Sequence, residues 1–323
     1  MNTGNTWEAF SLERYQPTHK AEWDALVARS RNGAFLFFRD YMDYHADRFA
    51  DHSLMFFRHG RVFALLPANA MPDGTWCSHR GLTYGGLVTD ERATAEHVAQ
   101  MMGMLNDYLR NAGFVRVVYK PTPWIYHVVP AEEDLHALFH VCHARLSGRA
   151  LSSAIDLRRQ PARFDESRRS GIRKAEREGI VIEESTDYKA FWNVLTGNLN
   201  NRYHAQPVHS LDEISLLATR FPNNIRLFVA RKDGEMLGGT VLYLSQRVVH
   251  TQYISATENG KQLGALDLLF HHLLHEHDFS QSYFDFGTSA SDSHPSALQL
   301  PLLFQKEGFG ARGICYDTYE WTL

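Results

Sequence analysis

The chain has 323 residues, 44% hydrophobic and 22% charged, with a formal net charge of −4. That length suits two domains or one large one, and the apolar share is enough for a real core. Nothing in the overall charge suggests wholesale nucleic-acid binding, no apolar run approaches a membrane span, and the polar start, Met1 to Ser11, shows no signal-peptide core.

The three cysteines, Cys77, Cys142 and Cys315, are far apart and odd in number. They read as reduced thiols, so the expected location is cytoplasmic. His271 and His275 share a helix face, but no HExxH accompanies them. No metal is expected, and these histidines read as the outer face of a helix.

In chain order, Ala21 to Arg29 and Phe35 to Phe49 are predicted helices. Ser53 to Arg58 and Arg61 to Leu66 are strands joined by a hairpin at His59-Gly60. Trp76 to Gly86 is strand-like and ends in a glycine turn. Thr89 or Asp90 is expected to cap a long helix to Asn111, with Gly113 at the C′ position. Phe114 to Tyr119 is a strand, stopped by Pro121 and Pro123. Pro130 and two glutamates open a helix to about Leu146, and Leu151 to Leu157 is a strand.

Arg168 to Glu178 is a basic helix closed by Gly179. A strand follows at Ile180 to Glu184, then a helix over Lys189 to Asn201. Ser210 and Glu213 form a capping box for a helix ending at Phe221-Pro222. Ile225 to Arg231 is a strand that turns at Asp233-Gly234. Met236 to Leu244 and Val248 to Ala256 are strands, the first apolar on both faces as a buried strand is. Glu258 to Ala265 reads as a glycine loop feeding an apolar helix from Leu266 to about His275. Free backbone N–H groups and a positive dipole end there would make a ready anion site. Ser282 to Phe286, Leu298 to Lys306 and Gly313 to Trp321 complete the chain as strand, helix and strand. Both halves run hairpin strands, helix, strand, helix, strand, so a duplicated α/β unit is expected, with domains 1–160 and 161–323 and the basic helix opening the second.

Three stretches carry a family resemblance. They are Ser153-Ala154-Ile155-Asp156-Leu157 with Gly171 to Ile180, Tyr283-Phe284-Asp285-Phe286-Gly287, and Phe304-Gln305-Lys306-Glu307-Gly308-Phe309-Gly310-Ala311. They resemble the GNAT-like acyltransferases, specifically the Fem-type (FemABX, BioF2-like) branch, over roughly residues 150–321. The resemblance implies an acyl-CoA N-acyltransferase fold in two GNAT-like lobes with a central cleft. It implies transfer of an acyl group from acyl-CoA to an amine, on a small molecule or a cell-envelope or polysaccharide precursor. Coenzyme A is thus the implied co-substrate. Its pyrophosphate would lie on a loop of the form Q/R-x-x-G-x-G/A, of which Gln262-Leu263-Gly264-Ala265 keeps the central glycine but not the full pattern. Fem-type relatives use aminoacyl-tRNA instead, which would make Arg173 and Lys174 matter. A non-catalytic binding module on the same fold is the remaining alternative.

Acyl transfer to an amine needs a proton acceptor, a polarised carbonyl and two reactants held together. The fold implies that backbone N–H groups at Ile254, Ser255 and Ala256 polarise the carbonyl. Asp285, between two phenylalanines, is a base or amine anchor, or a strand-end acid bonded to backbone. Lys306 holds a phosphate or carboxylate, or snorkels to solvent. Gln252 joins these two as a catalytic candidate and shares a strand face with His250 under strict alternation. His250, Gln305, Arg202 and His209 are candidates for substrate binding, and His79, Tyr84 and Lys120 are candidates for the inter-lobe cleft. No Ser-His or Cys-His pair stands out, so direct attack in a ternary complex is expected.

Overall fold

The computed structural model describes residues 10–159, 162–203, 205–289 and 298–323, without the side chains of 201–203. Packing divides the chain into two units. The first ends at Arg149 and takes back Tyr316–Leu323; the second is Ala150–Cys315. The sequence places one boundary, at 160/161. Packing instead changes unit inside a strand at Arg149 and returns the C-terminal segment to the first unit, a long-range return that local signals do not carry.

The first unit opens with β1 (Phe10–Arg14), α1 (Lys20–Arg29) and α2 (Arg39–Met42). Then come β2 (Leu54–Arg58), β3 (Arg61–Leu66), β4 (Asn69–Ala70), β5 (Thr75–Cys77) and β6 (Val88–Thr89). The helix α3 (Ala95–Asn111), β7 (Arg116–Tyr119) and α4 (Glu133–His140) follow. The hairpin expected at His59-Gly60 is present, with φ of 51° and 69°. Positive φ at both central residues matches the right-handed twist of the two strands.

Three expectations for this half need correction. The helix predicted over 35–49 is broken, because Phe38 is extended (φ −63°, ψ 140°) between a short 3-10 turn and α2. Phe35, Leu36 and Phe37 are all buried, so this first turn has no polar face to present as part of an amphipathic helix. The long helix starts at Thr94, whose side chain caps His97; Thr89 belongs to β6, and the Asp90 carboxylate is held by Arg92. The helix opened near Pro130 stops at His140, and Leu146 lies in β8 (Arg145–Asp156).

The chain enters the second unit within β8. It continues through α5 (Glu166–Arg177), β9 (Val181–Ser185), α6 (Tyr188–Tyr203) and α7 (Leu211–Arg220). Next come β10 (Ile225–Lys232), β11 (Glu235–Leu244) and β12 (Val248–Ala256). After these lie α8 (Glu258–Leu263), α9 (Ala265–His271), a π turn at His272–Glu276, β13 (Tyr283–Thr288), α10 (Leu300–Gly308) and β14 (Arg312–Thr322). The strand order here is β8-β13-β12-β11-β10-β9. The pair β12/β13 is parallel; its neighbours are antiparallel.

The core of this unit is aromatic. Phe270 of α9 packs on Phe286 and Phe309, at ring distances of 5.0 and 5.1 Å, and so seats α9 on β13. The capping box of α7 is made as expected. Ser210 Oγ accepts from Glu213 N, and Glu213 Oε2 accepts from Ser210 N at 2.7 Å. Ser210→Ala should cost about 1 kcal/mol, read as a lower urea midpoint with unchanged slope.

Candidate active site

Two irregularities lie on neighbouring strands. Val241 pairs with Tyr253, but Leu242 pairs with Thr251, so Gln252 is the extra residue of a β-bulge. The bulge reverses the alternation of faces. Val249 belongs to the core beneath α9, and Tyr253, which strict alternation would put on the same side, packs against Trp192 of α6 at 5.1 Å. The reversal sets in at Tyr253, which therefore lies on the face opposite Val249.

The second irregularity is that β12 and β13 stay paired only over Val248↔Tyr283, Val249↔Phe284 and His250↔Asp285. Beyond His250, the β12 backbone groups turned away from β11 have no ladder partner in β13. Ile254, Ser255 and Ala256 lie on this unpaired stretch, still bonded to β11 on the other side.

The last residues to pair, His250 and Asp285, form a hydrogen-bonded polar cluster. Asp285 is fully buried. Its Oδ1 accepts from Ser152 Oγ at 2.5 Å and from Gly287 N at 3.0 Å, and its Oδ2 meets His250 Nδ1 at 3.0 Å. Ser152 is also fully buried, whereas 15% of the His250 side chain is exposed. Of the three, only the imidazole reaches outward. An ionised carboxylate at Nδ1 keeps the proton on that nitrogen and leaves Nε2 as the acceptor. The carboxylate sits between the hydroxyl and the imidazole, so Ser152 is not placed to be activated by His250 as a nucleophile. Gly287 has φ 73°, and a Cβ there would lie 3.2 Å from the His250 ring, so glycine serves both the turn and the imidazole's position. Ser153, Thr251 and Ser289 bury hydroxyl oxygens that have no hydrogen-bond partner among the described residues. They follow Ser152, His250 and Thr288 in the chain, which makes the parting strands polar where a buried strand is ordinarily apolar.

Lys306 projects from α10 to this strand end. It is buried, and its Nζ donates to the carbonyls of Gly287 and Thr288, both at 2.8 Å. It does not snorkel to solvent, the second of the two readings from sequence. Burial lowers its pKa to about 8, with the Asp285 charge opposing the fall. Unfolded lysine holds its proton to about pH 10.5, so between pH 8 and 10.5 the unfolded chain binds more protons and stability rises with pH. The rise should amount to about 2–3 kcal/mol and flatten in Lys306→Met, read from urea midpoints at pH 7.5 and 10. An identical pH dependence in both proteins would remove the buried amine from the account.

A second polar cluster lies on the α6 side of β12. The Tyr253 hydroxyl accepts from His209 N at 3.1 Å and meets His209 Nδ1 at 2.6 Å, while Trp192 Nε1 donates to His209 O. Burial raises the tyrosine to about 12. His209 is thus buried, joining the loop before α7 to β12. Arg202 ends α6 with its side chain outside the described residues, and Gln305 is half-buried on α10.

The stretch expected to be a glycine loop is helical. Thr257 caps α8 by accepting from Gly260 N, and Gly264, at φ 77°, separates α8 from α9. A side chain at Gly264 would run into the carbonyl of Gly171, and one at Gly171 would run into Asp267. Asp267, in the first turn of α9, accepts from Arg168 Nη1 at 2.6 Å. The two glycines let α5 lie against the start of α9, and this chain's own carboxylate already occupies that helix end. Gln262 is exposed, Leu263 is partly buried, and Gly264 and Ala265 are buried. These residues do not fit the pyrophosphate of coenzyme A.

The first unit holds the remaining candidates. His79 is buried in a left-handed backbone (φ 44°), and its Nδ1 has no partner among the described residues. Lys120 Nζ donates to Leu82 O at 2.5 Å, and burial lowers its pKa. Tyr84 is a core residue, its ring tilted against that of Tyr126 at 4.7 Å. Sequence reasoning missed Ser152 altogether, and it put His250 and Asp285 in separate roles. Only the parallel register of β12 and β13 joins them.

No helix among the described residues is long and apolar enough to cross a membrane. Residues 162–293 match the Acetyltransferase (GNAT) domain family. No curated protein sequence matches the chain. Among solved structures, FemX superposes with a TM-score of 0.67 at 12% identity, covering 96% of this chain and 97% of that one. L-PGS from Bacillus licheniformis gives 0.58 at 12% identity, over 95% of this chain and 92% of that one. A tandem GNAT protein from the clavulanic acid biosynthesis pathway gives 0.50 at 11% identity, over 97% and 98%. At such identities the likeness is one of fold, and it is a fold of two GNAT-like lobes. Residues 162–293 are thus an acyltransferase domain of the GNAT type, and the chain around them has the two-lobed fold that FemX also has.

Proposed function

We propose that this N-acyltransferase joins an activated acyl ester to the amine of a small acceptor where β12 and β13 part. The observation that carries the reading is the His250–Asp285 pair, set at the last paired residues of the two strands. The amine nitrogen attacks the donor carbonyl and its proton passes to His250 Nε2. The new C–N bond forms as the donor's ester or thioester bond breaks, and the leaving oxygen or sulfur departs with the electron pair. Asp285 holds the imidazole in the right tautomer and stabilises its charge once protonated. Backbone N–H groups on the unpaired edge of β12, around Ile254 to Ala256, suit the developing oxyanion. Lys306 is a positioning residue that ties α10 to the Gly287–Thr288 turn.

The acceptor is an amine on a small molecule or a cell-envelope or polysaccharide precursor. For the donor, the contact of Gly171 with Gly264 argues against a pyrophosphate anchored at Gln262 to Ala265. That observation favours a second reading, in which the donor is an aminoacyl ester on tRNA, as in Fem-type relatives. The test is to offer purified protein acetyl-CoA or charged tRNA with a panel of amines and to detect new amides by mass spectrometry. Amine-dependent consumption of either donor supports the reading and names the donor. Failure with both donors across the panel would sink it.

A further inference from the structure

A groove of about 730 Å³ lies between α5 and the end of α9, outside the site described above. Its floor is apolar. Phe164 and Ile172 line it and are 8% and 7% exposed. Its rim carries three cations, Arg163, Arg169 and Arg173, against one carboxylate, Glu176. Arg169 and Arg173 share one exposed carboxylate, Glu166, at 2.8 and 2.6 Å. Such a pairing is weak in solvent and yields readily to a ligand anion. His271 and His275 close one side. The π turn after α9 brings their Nδ1 atoms to 2.9 Å, His275 Nε2 meets Ala162 O at 3.1 Å, and the His275 ring lies 4.6 Å from Phe164. A π turn interrupts regular helical bonding and often marks a functional position.

We propose that this groove binds an apolar anion, a carboxylate or phosphate head on a hydrocarbon tail. The guanidiniums take the head in charge-assisted hydrogen bonds, and Phe164 and Ile172 take the tail. The volume is that of a small-molecule site, and an apolar floor with a few polar groups on its rim is how such sites are built.

The test is calorimetric titration of the full chain with decyl phosphate and decanoate below their micelle concentrations, against decyltrimethylammonium and inorganic phosphate. One saturable site for an anionic amphiphile, at least tenfold weaker for the cation with the same tail, supports the proposal. Whether the phosphate or the carboxylate binds tighter assigns the head. The double variant R169Q/R173Q should weaken binding at least tenfold while its thermal midpoint stays near that of the parent. Equal binding of cation and anion, inorganic phosphate binding as tightly as decyl phosphate, unchanged affinity in the variant, or no saturable binding would each overturn it.

Discussion

Replacing His250 by glutamine should lower acyl transfer by about 100- to 10,000-fold, the range for loss of a positioned general base. The fold should tolerate the change. Glutamine is of similar length and can still donate to Asp285 Oδ2, so the buried carboxylate keeps a partner. It cannot take up the amine proton. The diagnostic readout is therefore kcat, which should fall in His250→Gln while the urea midpoint stays near that of the parent. Asp285→Asn should also depress turnover, because the amide can offer an N–H where an acceptor is required. That substitution, unlike the first, should cost stability too, since Ser152 and Gly287 N depend on the same carboxylate. Full activity in His250→Gln would return the base role to another group.

Gly264→Ala should destabilise the second unit by about 3–5 kcal/mol, with about 1–2 from the left-handed backbone and the rest from overpacking. Gly264 stands at φ 77°, and an added methyl would press on the Gly171 carbonyl, which is backbone and cannot rotate aside. The neighbouring contact is as tight, because Gly171 faces Asp267 while Arg168 holds that carboxylate. Chemical denaturation should show the loss directly. Transfer by the folded fraction should be retained if these glycines serve helix packing. A variant that loses activity at full stability would instead make Gly264 part of the donor site.

Much of the local structure was legible in the residues. His59-Gly60 and Asp233-Gly234 announce tight turns, and both adopt positive φ. Ser210 and Glu213 announce a capped helix, and Gly179 ends the basic helix at φ 69°. The segment 35–49 misled because its start, Phe35 to Phe37, is buried on every side, so burial and not periodicity decides its course there. Glu258 to Ala265 misled differently. Glycines beside a strand end suit a phosphate loop and a close helix contact equally, and composition does not separate the two.

The sequence alone determined what is encoded within a few residues of chain: the turns, caps and strand runs, and, through three short stretches, the likeness to Fem-type acyltransferases. Asp285 and Lys306 stood out because an acid between phenylalanines and a lysine in an apolar helix are locally improbable. Tertiary structure alone decided which residues meet. The bulge at Gln252 turns Tyr253 to α6, the three-residue parallel pairing sets His250 beside Asp285, and β8 brings in Ser152. Strand register is fixed by packing over a whole sheet face, and a one-residue shift exchanges every side chain between faces. Such a shift leaves no mark in the residues beside it, which is why the site's partners emerged only with the fold.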